Sequence, residues 1–148
     1  MKFAIVGAGA CGLTAALALQ RAGIEAVVLE RDAFPAGSTA LSSGFIPAPG
    51  TQAQRALGID DSPAQFEADI QAKAHGLAAP HLARAYAQAI GPALDALAEH
   101  HGLPWQVLTG FLYPGHRVHR MHAVPEKTGA GLMARLQAAA DAAGIAVL

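Results

Sequence analysis

The sequence of 148 residues has a single cysteine, Cys11, and few charged or aromatic side chains. One cysteine excludes an intramolecular disulfide, so a reducing cytoplasm is the predicted location. Charged residues make up 14% of the chain and the formal net charge is −1, which gives no electrostatic reason to expect a nucleic acid or an anionic membrane as partner. No apolar run approaches the roughly 18 residues that a membrane-spanning helix needs. Hydrophobic residues make up 53% of the chain, so a globular domain with a sizeable core is predicted.

The first thirty residues carry an ordered set of local signals. Residues 2–6 form an apolar run typical of a buried strand, and residues 7–12 (GAGACG) fit G-x-G-x-x-G directly after it. Residues 13–21 favour a helix, residues 26–29 favour a second strand, and Glu30 follows that strand. Strand, glycines, helix, strand and acid in this order indicate a parallel α/β unit that binds a dinucleotide.

Each of these residue types has a physical role in such a unit. Gly7 permits a tight turn, Gly9 lets the backbone approach a pyrophosphate, and Gly12 lets the helix pack close to the strand. Glu30 is placed to accept hydrogen bonds from the ribose hydroxyls of an adenosine. The alternative is a secretory signal over residues 1–19, but the three glycines interrupt its apolar segment and leave Glu30 unexplained.

Residues 31–51 form a connector rich in Gly, Pro, Ser and Thr, which excludes long regular structure. Within it, residues 36–46 mix small hydroxyl side chains with glycine. This composition is typical of a loop that brings N–H and hydroxyl groups close to an anionic or heteroaromatic ligand. A solvated linker is the alternative interpretation.

Three segments together resemble the N-terminal FAD-binding region of the fumarate reductase/succinate dehydrogenase flavoprotein family, which includes flavocytochrome c fumarate reductases and ketosteroid dehydrogenases. They are residues 7–12, residues 29–31 (LER) and residues 37–44 (GSTALSSG). The resemblance implies an α/β, Rossmann-like FAD-binding domain with a parallel sheet over residues 1–148. The cofactor-binding residues predicted from the glycine pattern and the resemblance are Gly7, Gly9, Ala10, Cys11, Gly12, Glu30, Arg31, Ser38, Thr39, Ser43 and Gly44.

The resemblance also implies a role for each group of these residues. The N–H groups of Ala10 and Cys11 would face the pyrophosphate, and Glu30 would hold the adenosine ribose. Residues 38–39 would contact the phosphate or ribityl region, and residues 43–44 would lie near the flavin.

The resemblance implies FAD held without a covalent bond. Some family members attach FAD through a histidine in this loop, whereas the matching position here is Ser38 and no histidine occurs before His75. In the family, the arginines and histidines that bind a dicarboxylate and deliver a proton lie in later parts of the chain. No catalytic residue is therefore predicted here.

The middle of the chain, about residues 52–101, is predicted to be a helical layer or insertion packed on the sheet. Asp61 or Ser62 can cap a first helix. A second helix is expected over residues 81–100, where Gly91-Pro92 should kink or divide it.

Two clusters follow this helical stretch. Trp105, Phe111 and Tyr113 are predicted to be core residues, with a wall against a flavin or substrate as the alternative. Residues 115–122 gather three histidines and two arginines on a path that Gly115 and the downstream proline make extended or irregular. A metal site is not predicted, because no Cys, Asp or Glu joins this cluster at ligand spacing. A solvated loop and contact with an anionic ligand remain the two interpretations.

The family resemblance continues through residues 119–122 (HRMH) and 128–132 (TGAGL), a segment that lies near the cofactor in the family, but we assign it no acid/base role. A helix is predicted over residues 132–143 and a strand over residues 145–148. Family members are several times longer, so the domain is expected to be incomplete at its C-terminal side.

The expected function is the FAD-binding portion of a flavin-dependent oxidoreductase that transfers hydride through flavin N5. A small-molecule substrate is expected once a further region or a second chain completes the protein. Two alternatives stay open: a non-catalytic module that binds FAD, NAD or ADP, and a truncated product without activity.

Overall fold

The computed structural model describes residues 3–35 and 37–148. Lys2, where the first predicted strand begins, and Ala36, in the predicted ligand loop, lie outside the described residues. The chain divides into unit 1, which comprises residues up to Phe45 together with Val124–Leu148, and unit 2, which comprises Ile46–Ala123. In chain order the elements are β1 Phe3–Val6, α1 Ala10–Arg21, β2 Ala26–Leu29, α2 Ser38–Leu41, β3 Ile46–Pro47, α3 Gln52–Ala56, α4 Pro63–Lys73, α5 Pro80–His101, β4 Gln106–Val107, β5 Met121–Ala123, α6 Gly129–Ala142 and β6 Ala146–Val147.

Unit 1 contains a three-stranded parallel sheet in the order β1-β2-β6. Helix α1 connects β1 to β2 and packs with α6. The largest buried side chains of these elements include Leu13, Leu17, Val28, Leu132 and Leu136. The predicted α/β fold with a parallel sheet is confirmed.

Strand β1 is more exposed than its apolar sequence predicts. Phe3 is 41% and Val6 is 87% exposed. Within the described residues β1 pairs with β2 on one side, in parallel register from Phe3–Ala26 to Val6–Leu29. The prediction of a buried strand is wrong: a continuous apolar run is typical of a strand covered on both faces, whereas three of the four β1 residues are exposed within the described residues.

Unit 2 combines helices with a small antiparallel sheet in the order β3-β5-β4. Helix α4 packs against α5, and Phe66, Ala87, Leu94 and Leu97 are buried. Helix α5 is not divided at Gly91-Pro92, since it runs without interruption from Pro80 to His101. A Cβ on Gly91 would lie 2.2 Å from the carbonyl oxygen of Pro49, so this glycine allows close packing of the helix on the preceding loop.

The proposal of one FAD-binding domain with a helical layer at about residues 52–101 stays a prediction. The predicted aromatic core near residue 110 is wrong for two of its members, because Phe111 is 49% and Tyr113 is 42% exposed. Trp105 is half-buried, and its indole N–H donates to the Leu94 carbonyl oxygen at 2.8 Å. No helix in the described ranges is both long enough and apolar enough to cross a membrane.

Candidate functional site

The glycine turn after β1 has the geometry that its sequence predicts. Gly7 adopts a φ of +97°, and its N–H donates to the carbonyl oxygen of Leu29 at 2.7 Å. A Cβ on Gly12 would lie 1.9 Å from the carbonyl oxygen of Gly7. Helix α1 therefore begins against the turn at a distance that only glycine allows.

The first turn of α1 presents backbone N–H groups at the end of the sheet. Its N-cap residue, Gly9, provides no side-chain acceptor. The N–H of Ala10 donates to the Thr39 hydroxyl oxygen at 3.3 Å, and in residues 3–35 and 37–148 we find no acceptor for the N–H groups of Cys11 and Gly12. These donors and the helix dipole favour an anion at this position.

Glu30 is held against the turn by two backbone donors. Its carboxylate accepts hydrogen bonds from the N–H of Ala8 at 2.7 Å and from the N–H of Asp32 at 3.1 Å. The bond from Ala8, followed by that from Asp32, lowers the pKa of the Glu30 carboxyl below its usual range. The group therefore stays ionised at neutral pH and remains an acceptor for hydroxyl donors.

Arg31, the next residue, lines the same pocket as Glu30. Its side chain is 89% exposed and pairs with Asp32 at 3.2 Å. A negatively charged ligand at this guanidinium would therefore compete with Asp32.

The predicted ligand loop contains one helical turn, α2, and is braced by Ser42. The Ser42 hydroxyl donates to the Thr39 carbonyl oxygen at 2.7 Å and accepts from the Gly44 N–H at 3.0 Å. These bonds order the loop backbone, so residues 38–44 are not an irregular linker, although most of them are exposed to solvent. Ser38 and Thr39 lie in α2, whereas Ser43 and Gly44 lie beyond its end.

The start of α6 fixes this loop at very short range. The N–H of Gly129 donates to the Ser42 carbonyl oxygen at 2.9 Å, and a Cβ on Gly129 would lie 1.9 Å from the Thr39 carbonyl oxygen. Gly44, with a φ of +68°, approaches the Thr128 carbonyl in the same way. The family resemblance placed residues 128–132 near the cofactor without giving Thr128 or Gly129 a role in the site, and this contact with the loop was not predicted.

These elements enclose a pocket of about 290 Å³ within unit 1. Five predicted cofactor-binding residues line it: Gly9, Glu30, Arg31, Ser38 and Thr39. Pro35, Gly37 and Met133 also line it and were not predicted. Six predicted residues do not line the pocket wall: Gly7, Ala10, Cys11, Gly12, Ser43 and Gly44. They lie in the glycine turn, in the first turn of α1 or at the end of the loop. The glycine turn and the open N–H groups fit a pyrophosphate, and the fixed carboxylate fits a ribose.

The histidine and arginine cluster of residues 115–122 is buried in part rather than fully solvated, because Arg120 and His122 are fully buried. Arg120 forms a bidentate pair with Asp61, with both N···O distances 2.9 Å, and a third bond to Asp69 at 2.7 Å. Its guanidinium carbon also lies 4.8 Å from the centroid of the Phe66 ring. The cluster is a buried ion network, and neither of the two sequence interpretations described it. No group of side chains suited to a metal ion is found in the described part of the chain.

His122 is held as a neutral imidazole. Its Nδ1 lies 2.9 Å from the Arg120 carbonyl oxygen and its Nε2 lies 2.7 Å from the Thr51 hydroxyl. A carbonyl can only accept, so Nδ1 carries the proton and Nε2 accepts from Thr51. Burial is the main cause that lowers the pKa of His122.

We expect this histidine to make stability depend on pH. The unfolded chain binds a proton near the ordinary histidine pKa of about 6.5, whereas the folded chain binds it only at lower pH. The free energy of unfolding should therefore be highest above that pH and should fall as the pH drops below it. Urea unfolding at several pH values measures the effect.

His122→Gln should make this fall in stability smaller. The control is His81→Gln, since His81 is exposed and should leave the pH profile unchanged. Parallel profiles for His122→Gln and the unaltered protein would contradict the assignment of the pH dependence to His122.

Comparison with known proteins agrees with this geometry. The model of the FAD binding domain family matches residues 2–148. The urocanate reductase of Eggerthella lenta is 30% identical over 137 residues, which cover 93% of this chain and 22% of that protein. The chain thus spans less than a quarter of the length of this relative.

Solved structures have the same fold. The open conformation of a flavocytochrome c3 fumarate reductase matches with a TM-score of 0.84 and 26% identity, over 99% of this chain and 26% of that one. The quinol fumarate reductase of E. coli matches with a TM-score of 0.75 and 22% identity, again over 99% of this chain and 26% of that one. At this identity the match shows a shared fold only. The resemblance found in the sequence is confirmed: this chain belongs to the FAD-binding domain family and is an FAD-binding region of fumarate reductase/succinate dehydrogenase-like flavoproteins.

Proposed function

We propose that this chain is the FAD-binding part of an oxidoreductase that acts on an activated C–C bond of a small carboxylate. The observation that carries the proposal is the pocket formed by the glycine turn, Glu30 and α2 in unit 1. The names of the relatives, a urocanate reductase and a fumarate reductase, support an unsaturated carboxylate as the substrate class. When bound, FAD supplies hydride transfer through flavin N5.

The residues of this chain bind and orient the cofactor. The free N–H groups of Cys11 and Gly12 hold the pyrophosphate, and the carboxylate of Glu30 accepts from the ribose hydroxyls. Thr39, whose hydroxyl lies at the N-terminus of α1, and Ser38 contact the phosphate or ribityl region. Ser43 and Gly44 lie nearer the flavin. A second pocket of about 320 Å³, lined by Ala8, Ala33, Phe34, Pro35, Gln137, Asp141 and Val147 among others, shares Pro35 with the first and suits the planar adenine.

The bound FAD is proposed to be non-covalent, because no histidine occurs between residues 37 and 44. The purified protein is then yellow, and denaturation followed by filtration releases the flavin. Colour that stays with the denatured chain would overturn this part of the proposal. A colourless protein that binds ADP or NAD in calorimetry would support the dinucleotide-binding module instead. The cytoplasmic location and the involvement of a further region or second chain stay predictions.

Replacement of Glu30 tests the assignment of the ribose site. Glu30→Ala should raise the Kd for FAD and for ADP by roughly tenfold to a hundredfold, the range for a lost hydrogen bond to a charged group. FMN has no adenosine, so its Kd should not change. Fluorescence titration measures FAD and FMN binding, and calorimetry measures ADP binding.

The control for this titration is Asp60→Ala, which removes an exposed carboxylate that does not line the pocket. Asp60→Ala should bind FAD like the unaltered protein. If Glu30→Ala weakens FMN as much as FAD, Glu30 supports the fold rather than the adenosine ribose, and the assignment fails.

The proposed reaction has a separate test. The FAD-bound protein, completed by the further region or second chain that supplies the substrate-binding residues, is reduced under anaerobic conditions and mixed with fumarate or urocanate, and the oxidised flavin spectrum is followed. Return of that spectrum with formation of the saturated product supports the oxidoreductase. A reduced flavin that neither carboxylate reoxidises would overturn the proposed substrate class and leave FAD binding intact.

A further inference from the structure

Unit 2 contains a pocket that shares no residue with the predicted FAD-binding residues. It has a volume of about 310 Å³ and is lined by Phe66, Asp69, Ile70, Lys73 and Ala74 at α4 and its C-cap and by Pro114, Gly115 and His116 from the following loop. This volume is at the lower end of the roughly 300–1,000 Å³ of small-molecule sites. The pocket therefore suits one small ligand.

Most of its wall is apolar, and the geometry of the loop is fixed. The His116 ring packs edge-on against Phe66, with centroids 6.0 Å apart and planes at 78°. Gly115 has a φ of +92°, and a Cβ at that position would lie 3.0 Å from the Lys73 Cδ. The aliphatic stem of Lys73 therefore packs against the loop, and the position requires glycine.

Some polar groups of the pocket have hydrogen-bond partners within the protein and others do not. The carboxylate oxygens of Asp69 accept from the guanidinium groups of Arg117 and Arg120 and from the N–H of Arg117, so they are satisfied. The Nδ1 atom of His116 is buried and has no hydrogen-bond partner in the described part of the chain. A buried ring nitrogen without a partner costs free energy unless a ligand or water meets it.

Charge at this pocket favours an anion. Asp61 and Asp69 are balanced by Arg117 and Arg120. Lys73 adds one positive charge, and no salt bridge to it is found among the residues described. Burial, followed by the nearby charge of Arg120, lowers the pKa of His116, so its imidazole is neutral at neutral pH and has one N–H to donate.

We propose that this pocket binds a small organic monocarboxylate with an apolar or aromatic body. The body lies against Phe66, Ile70 and Ala74. The carboxylate accepts from Lys73 and from the N–H of the neutral His116 ring. A dianion would leave one carboxylate in the apolar part of the pocket, and a cation would meet Lys73, so both are excluded.

Benzoate is the probe, and benzylamine and benzyl alcohol are its cationic and neutral counterparts. Calorimetry on the purified protein should detect benzoate binding, with benzylamine and benzyl alcohol at least tenfold weaker. Equal binding of the three compounds would overturn the proposal, as would no benzoate binding at millimolar concentration. The assay needs no flavin, so its result does not depend on the proposed function.

Three variants locate the binding. Lys73→Met keeps the stem and should weaken benzoate roughly three- to tenfold, a modest effect because the side chain is exposed. His116→Phe keeps a ring against Phe66 and should weaken it roughly tenfold. Ala74→Trp should abolish binding by filling the pocket. The control, Lys127→Met, changes an exposed lysine of unit 1 and should leave the Kd unchanged.

Circular dichroism shows whether each variant is folded. Ala74→Trp is the variant that could fail to fold, and in that case Lys73→Met and His116→Phe decide the question. If folded Lys73→Met and His116→Phe bind benzoate like the unaltered protein, benzoate binds elsewhere and the proposal is wrong.

Discussion

Replacement of Arg120 by methionine is expected to lower the free energy of unfolding by about 3–5 kcal/mol, the cost of breaking a buried ion pair by removing one partner. Arg120 and Asp61 are both 0% exposed, and Asp69 is 5% exposed. The methionine fills much of the arginine volume but leaves two buried carboxylates without their shared cation. Urea denaturation followed by circular dichroism measures the change.

Two further variants show whether the charge network causes this loss. Adding Asp61→Asn and Asp69→Asn to Arg120→Met should recover part of the stability, because neutral amides need no buried cation. The exposed pair between Arg135 and Glu126 supplies the control, and Arg135→Met should change stability little. A small effect of Arg120→Met, similar to that of the control, would refute the network's importance.

Replacement of Gly12 by alanine is expected to remove FAD from the purified protein and to lower the free energy of unfolding by about 1–3 kcal/mol, the range for overpacking. The added Cβ would lie 1.9 Å from the Gly7 carbonyl oxygen and 3.3 Å from the Ile5 Cγ2. A backbone carbonyl cannot rotate away as a side chain can, so α1 must move from the turn that is proposed to hold the pyrophosphate. Flavin absorbance per chain and urea denaturation measure the two effects.

Variants of two other glycines distinguish loss of FAD through a steric clash in the fold from loss through a direct block of the binding site. A Cβ on Gly9 would meet only the Thr39 hydroxyl at 3.6 Å, an ordinary contact. Gly9→Ala should therefore keep its stability but raise the Kd for FAD, because the methyl group would lie where the pyrophosphate is proposed to approach. Nothing lies within 4 Å of a Cβ on Gly110, so Gly110→Ala should change neither quantity. Full FAD content in Gly12→Ala would contradict the role given to the close contact.

Local patterns predicted the turn of unit 1 well. Glycine spacing and apolar runs depend only on residues close together in the sequence. The backbone dihedral angles that these residues favour are also found in the folded structure. β1, α1 and β2 accordingly follow the predicted order, and the Thr39 hydroxyl accepts from the N–H of Ala10 at the start of α1. The predicted start of α6 was three residues late, at residue 132 instead of 129. The Gly-Ala-Gly sequence of residues 129–131 disfavours a helix locally. The helix nevertheless begins there because the Thr128 side chain caps it, accepting from the N–H of Gly131.

The errors concern contacts between distant parts of the chain. Arg120 is 51 residues from Asp69 and 59 residues from Asp61, and no local pattern pairs an arginine with particular acids at such separations. The exposure of Val6 depends on which elements cover the faces of β1, which its own sequence does not encode.

By itself, the sequence determined the glycine turn, the acid after the second strand and the family, because these depend on residue type at fixed spacing. Only the tertiary structure decided that Gly129 packs against the predicted ligand loop, that Arg120 is buried between two acids and that the Nδ1 atom of His116 has no partner in the described residues. The physical reason is that burial and hydrogen bonding of polar groups depend on which distant atoms the folded chain brings within about 3 Å.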